Sequence, residues 1–487
     1  MKLEETHIHI MGIGGAGMSA IARVLQARGA TVTGCDGKAS PVLDALNAEG
    51  IVASLGHDPA HLVGVQALAP SSAIGKDNAE VAEAQAKGIP IWHRGDLLGA
   101  LMQDKVGIAV AGTHGKSTTT SMIATILMDA GLDPSFIIGA TPANLGTNAR
   151  HGEGEPFVIE ADEYDRTFLR LQPKLAIVTN VEFDHPDIYK DYADTLNTFV
   201  QFAQLVPQDG ALIACEDDDG CVEMLKQTEM AWGVERKASS EDIDAPRLTL
   251  HASRPTVVTY GIHRGQWRAT NLRANPLGGM DFSFNGPGQN GTVSGVMSLR
   301  VPGEHNVRNA LAALIVAEAC GVPASAAAES LGAFRGADRR FELKGEARGI
   351  RVFDDYAHHP TEIKATLHGA RLRYPVGNIW AIWQPHTYSR TIALMGEFVN
   401  AFKEADQVIV LPIYAAREKA EDFGFAATAL NPIEISRKIN HKSVRNAASF
   451  GDALGILLSH VKGGDVIITL SAGDGNLVGQ RLLEMLK

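Results

Sequence analysis

Four cysteines in 487 residues, Cys35, Cys215, Cys221 and Cys320, are too few for a disulfide framework. The closest pair, Cys215 and Cys221, has no histidine at metal-ligand spacing, so all four read as reduced thiols of the cytosolic kind. There is no basic excess. The formal net charge of −12 argues against a general nucleic-acid binder, which would show a basic face. No apolar run approaches the ~20 residues that span a bilayer. The first residues, MKLEETHIHIMG, carry two glutamates and enter a strand directly, unlike a signal peptide. A cytoplasmic protein without membrane insertion is therefore expected. Internal repeats and low-complexity tracts are missing too, and the acidic run 216–219 reads as a solvated loop.

What is present is ordinary for globular domains: 45% apolar and 21% charged residues, over a length that favours two to four domains, with three the central expectation. Three blocks are visible. In residues 1–104, strand-sized runs at 7–11, 31–34, 66–69 and 89–92 alternate with helical stretches at 17–27 and 79–87, which implies a parallel sheet. In residues 105–335, an apolar strand at 106–111 leads through a glycine loop into a helix at 116–130. Buried-strand candidates follow at 157–160 and 175–179. Residues 242–301 alternate β-formers with Gly, Asn and Pro and predict an antiparallel patch; an apolar helix follows at 306–320, stopped by Gly321 and Pro323. In residues 336–487, strands at 351–353, 378–383, 407–411 and 465–470 alternate with helices, which predicts another α/β unit.

Two glycine loops carry most of the chemistry. Gly12-Ile13-Gly14-Gly15-Ala16-Gly17 follows a strand, opens a helix and has Asp36 about 20 residues on, the pattern of a Rossmann-type turn. Its glycines let the backbone approach a pyrophosphate at a helix N-terminus, whichever nucleotide carries it. Gly112-Thr113-His114-Gly115-Lys116-Ser117-Thr118-Thr119 sits between a strand and a helix. Its amides and Lys116 can hold phosphates, and the Ser117 hydroxyl can reach Mg²⁺. It departs from the usual P-loop because Val110 stands six positions before the lysine and the glycine has moved to 112. The stretch Glu160-Ala161-Asp162-Glu163-Tyr164-Asp165, with Asp184-His185, places carboxylates and an imidazole at C-terminal strand ends, where ligands of open α/β sheets bind. Further polar clusters are Asn306 with Asn309, Arg339-Arg340-Phe341, the run DDYAHHPTE from Asp354 to Glu362, and the run QPHTYSR from Gln384 to Arg390.

Taken in order, GIGGAGMS, GTHGKSTTT, EADEYD, TNVEFDH, HNVRNA, RRF, DDYAHHPTE and QPHTYSR resemble the Mur ligase family of ATP-dependent amide ligases, over essentially the whole chain. The resemblance implies an α/β, three-domain architecture: a Rossmann-like UDP-binding domain at 1–104, a central P-loop ATPase domain at 105–335, and a C-terminal Rossmann-like, amino-acid-binding domain at 336–487. It implies that Gly12, Gly14, Gly15, Gly17, Asp36, Ser71 and Ser72 face the UDP-sugar. ATP falls to Gly112, Thr113, His114, Gly115, Lys116, Ser117 and Thr118, with Asn306, Asn309, Arg340 and Asp355. Mg²⁺ falls to Ser117, Glu160 and His185. Tyr356, His358, His386 and Arg390 would face the acceptor, with Lys116, Arg340, Asp355, His358 and Arg390 as the catalytic set.

The implied reaction joins L-alanine to the carboxylate of UDP-N-acetylmuramate through an acyl phosphate, in peptidoglycan precursor synthesis, by a monomer or homodimer. One departure is Thr387, where ligases of this kind carry an arginine in QPHRYTR. That departure and Tyr164 of EADEYD keep a whole peptide, L-Ala-γ-D-Glu-meso-diaminopimelate, as the alternative acceptor. With Thr387 unable to supply charge, Arg390 is expected to be the principal anchor of the acceptor carboxylate. A NAD-dependent oxidoreductase built on the first glycine turn is the competing enzyme class, and the second nucleotide loop at Lys116 speaks against it. A non-enzymatic ATP switch would not require His358 or Arg390.

Overall fold

The computed structural model describes residues 3–233, 254–289 and 291–487. Among the described residues, three sheets follow one another along the chain. The first has four parallel strands in the order Val52–Leu55, Thr31–Asp36, His7–Met11, Ala67–Pro70. Ile8, Ile10 and Val32 make one face of its central strands apolar, while the other face mixes the polar His9 and Thr33 with Met11 and Cys35. The expected strand at 89–92 is a correction. It touches the sheet through a single bridge, Leu68 to Ile91, because Pro90 has no N–H to continue the ladder. The helix Ala16–Ala27 starts directly from the glycine turn.

Among the described residues, the second sheet has ten strands. Val106–Ala111 lies near its middle, between Leu175–Val178 and Pro156–Glu160, all parallel. The chain order reverses across this strand, so its C-terminal end opens into the crevice where open α/β sheets bind ligands. At one edge, Trp267–Ala274, Met280–Gly288 and Gly291–Ser298 form the expected antiparallel patch. The part of that expectation covering 242–253 lies outside the described residues.

The helix Lys116–Asp129 is buried along most of its length. Its polar residues survive there because Thr120, Ser121 and Thr125 each donate a hydroxyl to the carbonyl four residues earlier, at 2.6–2.8 Å. The helix Glu304–Ala319, expected at 306–320, packs against it.

The third sheet runs Glu342–Ala347, Ile350–Asp355, Val466–Leu470, Ile379–Trp383, Gln407–Val410, Val444–Asn446, parallel except for the first strand. Each face has its own core, one around Phe353, Trp383 and Phe398, the other around Trp380, Leu457 and Leu482. The first two sheets instead share one continuous apolar core, running from Ile8 through Leu98 and Ile108 to Phe334. No described helix is long and apolar enough to cross a membrane.

Candidate active site

The loop after Val106–Ala111 is shaped by two glycines. Gly112 has φ +137°, and a Cβ there would meet Thr179 Oγ1 at 1.9 Å; Gly115 has φ +82°, and a Cβ would meet Asn309 Oδ1 at 2.8 Å. Neighbouring strand ends fix the loop from outside. Asn180 Oδ1 accepts from the His114 N–H (2.7 Å), and Thr113 Oγ1 accepts from the Glu182 N–H (2.9 Å).

Lys116 is folded back on this loop. Its ammonium donates to the carbonyls of Gly112 (2.6 Å) and Thr113 (3.1 Å) and pairs with Glu163 at 2.7 Å. Burial works to lower its pKa, but Glu163, Asp162 and Glu160 outweigh burial and raise it, so the lysine stays charged.

Ser117 and Glu160 are brought together as expected: the hydroxyl donates to Glu160 Oε1 at 3.0 Å, and the Gly139 N–H donates to Oε2 at 2.7 Å. These hard oxygen donors beside a phosphate loop fit Mg²⁺, which takes carboxylate oxygen and keeps waters. His185, in the left-handed region at φ +54°, lies with its Nε2 3.5 Å from Glu163 Oε1, on the Lys116 side of the cluster. Burial lowers its pKa, yet Asp184 and Glu163 raise it overall.

The loop separates two spaces. On one side, a cavity of about 330 Å³ is lined by His114, Gly115, Thr118, Asn306 and Asn309 of the central unit and by Arg340, Phe341 and Asp355 of the C-terminal unit. Asn306 donates to the Pro302 carbonyl (2.7 Å) and accepts from Asn309 (3.2 Å). Asp355 accepts from the N–H groups of Phe341 (3.0 Å) and Ala357 (2.8 Å) and from the Thr366 hydroxyl (3.1 Å). Burial pushes its pKa up to about 6 against the pull of Arg340.

On the other side, a cleft of about 1210 Å³ runs from Gly15, Gly17, Ser71 and Ser72 past Thr113, Lys116, Ser117 and Glu160 to Tyr356, His358, His386 and Arg390. Gly12, Gly14 and Asp36, expected at the UDP-sugar, are not among the residues that line it. The Asp36 carboxylate is spent on the turn itself, accepting from the N–H groups of Gly14 (3.0 Å) and Lys38 (3.1 Å). Gly12, at φ +71°, leaves no room for a Cβ, which would meet Ser71 Cβ at 2.8 Å.

At the far end, the guanidiniums of Arg339 and Arg340 lie over the Tyr356 ring, 5.0 and 5.3 Å from its centre. His358 Nδ1 is 2.8 Å from the Tyr356 carbonyl, so Nδ1 carries the proton and Nε2 is free to accept. Burial holds its pKa well below the usual range, against Glu362.

Arg390, expected as the anchor of the acceptor carboxylate, is paired within the protein. Its guanidinium, 5% exposed, pairs with both oxygens of Asp184 at 2.6 and 3.2 Å, and its remaining Nη1 faces His386 Nδ1 at 2.9 Å. Thr387 bonds Ser389 and stands at the helix start.

Three groups outside the expected set organise the seam between the central and C-terminal units. Asp184 holds Arg390. Glu182 accepts from the Thr361 hydroxyl at 2.6 Å. Glu362 stands within 3.6 Å of Arg340 and 3.3 Å of His114. Glu362 could have been found from HHPTE, where it closes a capping box with His359 at the start of the helix Pro360–Arg373. Glu163, the partner of Lys116, was visible only as one acid of EADEYD. Arg94, which reaches Asp162 at 3.2 Å across the first seam, gave no sequence signal.

His114 lies between Glu182 and Glu362. Burial lowers its pKa, but the two carboxylates raise it to about 10 from 6.5. A raised histidine contributes stability that is complete below its unfolded value and is lost as pH climbs through the folded one. The melting-temperature gap between wild type and His114→Gln should therefore be widest below pH 6.5 and shrink towards pH 10. A calorimetric series across that range checks it, and a constant gap would remove the imidazolium from the account.

Three family models match the chain: the Mur ligase family, catalytic domain over residues 7–106, the Mur ligase middle domain over 110–253, and the Mur ligase, glutamate ligase domain over 339–473. A UDP-N-acetylmuramate–L-alanine ligase of Roseiflexus sp. is 40% identical, with 99% of each chain covered. One of Clostridium novyi is 39% identical, covering 99% of this chain and 98% of that relative. Among solved structures, a murein peptide ligase of Psychrobacter arcticus is 27% identical with a TM-score of 0.71, covering 99% and 98%. The UDP-N-acetylmuramate-alanine ligase of Thermotoga maritima shares the fold, with a TM-score of 0.76 at 24% identity over 99% of each chain. The chain belongs to the Mur ligase family.

Proposed function

We propose that this Mur ligase joins L-alanine to the carboxylate of UDP-N-acetylmuramate, with ATP converted to ADP and phosphate. The observation that carries the reading is the loop at Lys116 standing between the nucleotide-sized cavity and the long cleft. A γ-phosphate at that loop would meet a carboxylate arriving along the cleft. The three units, 1–104, 105–335 and 336–487, then divide the work between UDP-sugar, ATP and amino acid. The relatives at about 40% identity support L-alanine as the acceptor.

The substrate carboxylate attacks the γ-phosphorus, the bond to the β-phosphate oxygen breaks, and ADP leaves. The amine of L-alanine then attacks the acyl carbon, phosphate departs, and the amine gives up a proton. His358 Nε2 is the group placed to accept it. Lys116 neutralises charge that develops on the phosphoryl oxygens, and much of the remaining work is positioning. Ser117, Glu160 and His185 would hold Mg²⁺, which supplies further charge neutralisation at the phosphates. Asn306, Asn309, Arg340 and Asp355 would hold the nucleotide.

Phosphate release with UDP-N-acetylmuramate, ATP and a panel of acceptors tests the reading. L-alanine should give the highest kcat/KM, above glycine, L-serine and the tripeptide. Preference for the tripeptide, or release without any acceptor, would refute it. Glu160→Gln should raise the Mg²⁺ needed for half-maximal rate by at least about 10-fold, since even outer-shell losses at metal sites cost 10–100-fold. An unchanged Mg²⁺ dependence would take Glu160 out of the metal site.

A further inference from the structure

The N-terminal unit contains a second cluster, away from the phosphate loop, that the reaction does not use. His9, Cys35, His61 and Glu80 come from four separate elements and share no sequence spacing. Yet one ligand atom from each lies within 4.8 Å of all the others. His9 and Cys35 sit on adjacent parallel strands, His61 on the turn Pro59–Leu62, and Glu80 in the first turn of the helix Ala79–Ala86.

Glu80 is completely buried and is the hub. It lies 2.6 Å from His61 Nδ1, 3.1 Å from Cys35 Sγ and 3.8 Å from His9 Nε2. A buried glutamate with hydrogen bonds could be a structural knot and nothing more. His9 separates the two readings. It is 1% exposed, its Nδ1 is held by Thr33 Oγ1 at 2.8 Å, and its Nε2 points into the cluster with no hydrogen-bond partner. A fully buried orphan nitrogen costs stability unless something fills its lone pair.

We propose that His9, Cys35, His61 and Glu80 form a structural site for a transition-metal ion of the zinc class. Two imidazole nitrogens, one sulfur and one carboxylate oxygen are the donor set of four-coordinate zinc. Binding releases the Cys35 thiol proton, and Zn²⁺ with one thiolate and one carboxylate is then electrically neutral. A neutral centre is what an interior position can hold without a large desolvation cost. Thr33 is the outer partner that fixes the His9 ring with Nε2 inward. His57, whose Nδ1 is 3.1 Å from Cys35 Sγ, flanks the site, and its side chain and that of His61, each 22% exposed, give the ion a way in. The Cys35 carbonyl accepts from the N–H groups of Gly12 and Ile13, so the ion would brace the base of the first glycine turn.

The test uses the full-length protein and does not depend on activity. Protein purified from zinc-supplemented medium should contain one zinc per chain. After stripping, Co²⁺ should bind with one-to-one stoichiometry and show a thiolate-to-cobalt charge-transfer band. Cys35→Ser should abolish that band, while Cys215→Ser and Glu160→Gln leave it intact. Stripping should lower the melting temperature and zinc should restore it. Should Cys35→Ser fail to fold, His61→Ala serves, because this ring is partly exposed. It should weaken cobalt binding by more than the roughly 10–100-fold that loss of an outer-shell partner costs. Stripped wild-type protein that shows no charge-transfer band and no zinc-dependent melting shift would overturn the proposal. So would a band that disappears in Glu160→Gln.

Discussion

Lys116→Ala is expected to reduce ligation by about 10²–10³-fold, the effect of removing one preorganised donor from a site of developing charge. The ammonium is the cation that the loop itself supplies at the phosphates. Its contacts with Gly112, Thr113 and Glu163 hold it at the loop, and Glu163 would have to yield when a phosphate arrives. The same substitution should also cost stability. Glu163 is 3% exposed, and stripping one partner from a buried ion pair costs about 3–5 kcal/mol. The two losses can be separated. Lys116→Ala/Glu163→Gln should recover much of the melting temperature and none of the turnover. Near-normal phosphate release in folded Lys116→Ala would dismiss the lysine from the reaction. Turnover regained in the double variant would make its role purely structural.

Arg390→Ala should be the most damaging change in the C-terminal unit. The arginine and Asp184 are each 5% exposed and meet across the seam through two hydrogen bonds. Leaving Asp184 buried and alone should cost about 3–5 kcal/mol, read as a drop in denaturant midpoint. Asp184→Asn in the same background should relieve part of that loss, and the double-mutant cycle measures the coupling. Kinetics decide whether the arginine also grips the acceptor. If it exchanges Asp184 for the carboxylate of L-alanine, the KM for L-alanine should rise about 10–150-fold, equivalent to the 1.5–3 kcal/mol of a hydrogen bond to a charged group, while the KM for ATP holds. Equal rises in both constants would make Arg390 a positioning residue of the seam.

The sheet centres were legible in the sequence because a parallel strand covered on both faces is a continuous apolar run. Val106–Ala111, Leu175–Val178 and Ile379–Trp383 all read that way. The edges were not. Val52–Leu55, Glu342–Ala347 and Val444–Asn446 are partly exposed and lack a continuous apolar run, so tertiary pairing, not local pattern, makes them strands. Site residues next to glycine loops were readable because loop geometry dictates their neighbours. Partnerships such as Lys116 with Glu163 or Arg390 with Asp184 join residues 47 and 206 positions apart. A single sequence names both members of such a pair without saying that they meet. The cluster around Glu80 was invisible for the same reason, since its members come from four elements.

The ring of acids around Lys116 has a consequence for the order in which ligands can enter. Glu160, Asp162 and Glu163 all act on the one ammonium, and Asp162 is shared with Arg94. A bare triphosphate approaching this ring meets carboxylates as well as the lysine, and must also displace Glu163 from it. Counter-charge has to travel with the nucleotide. On the proposed function, the species that enters would be ATP already complexed to a divalent cation, and ATP in excess over that cation would compete as a poor ligand for the same loop.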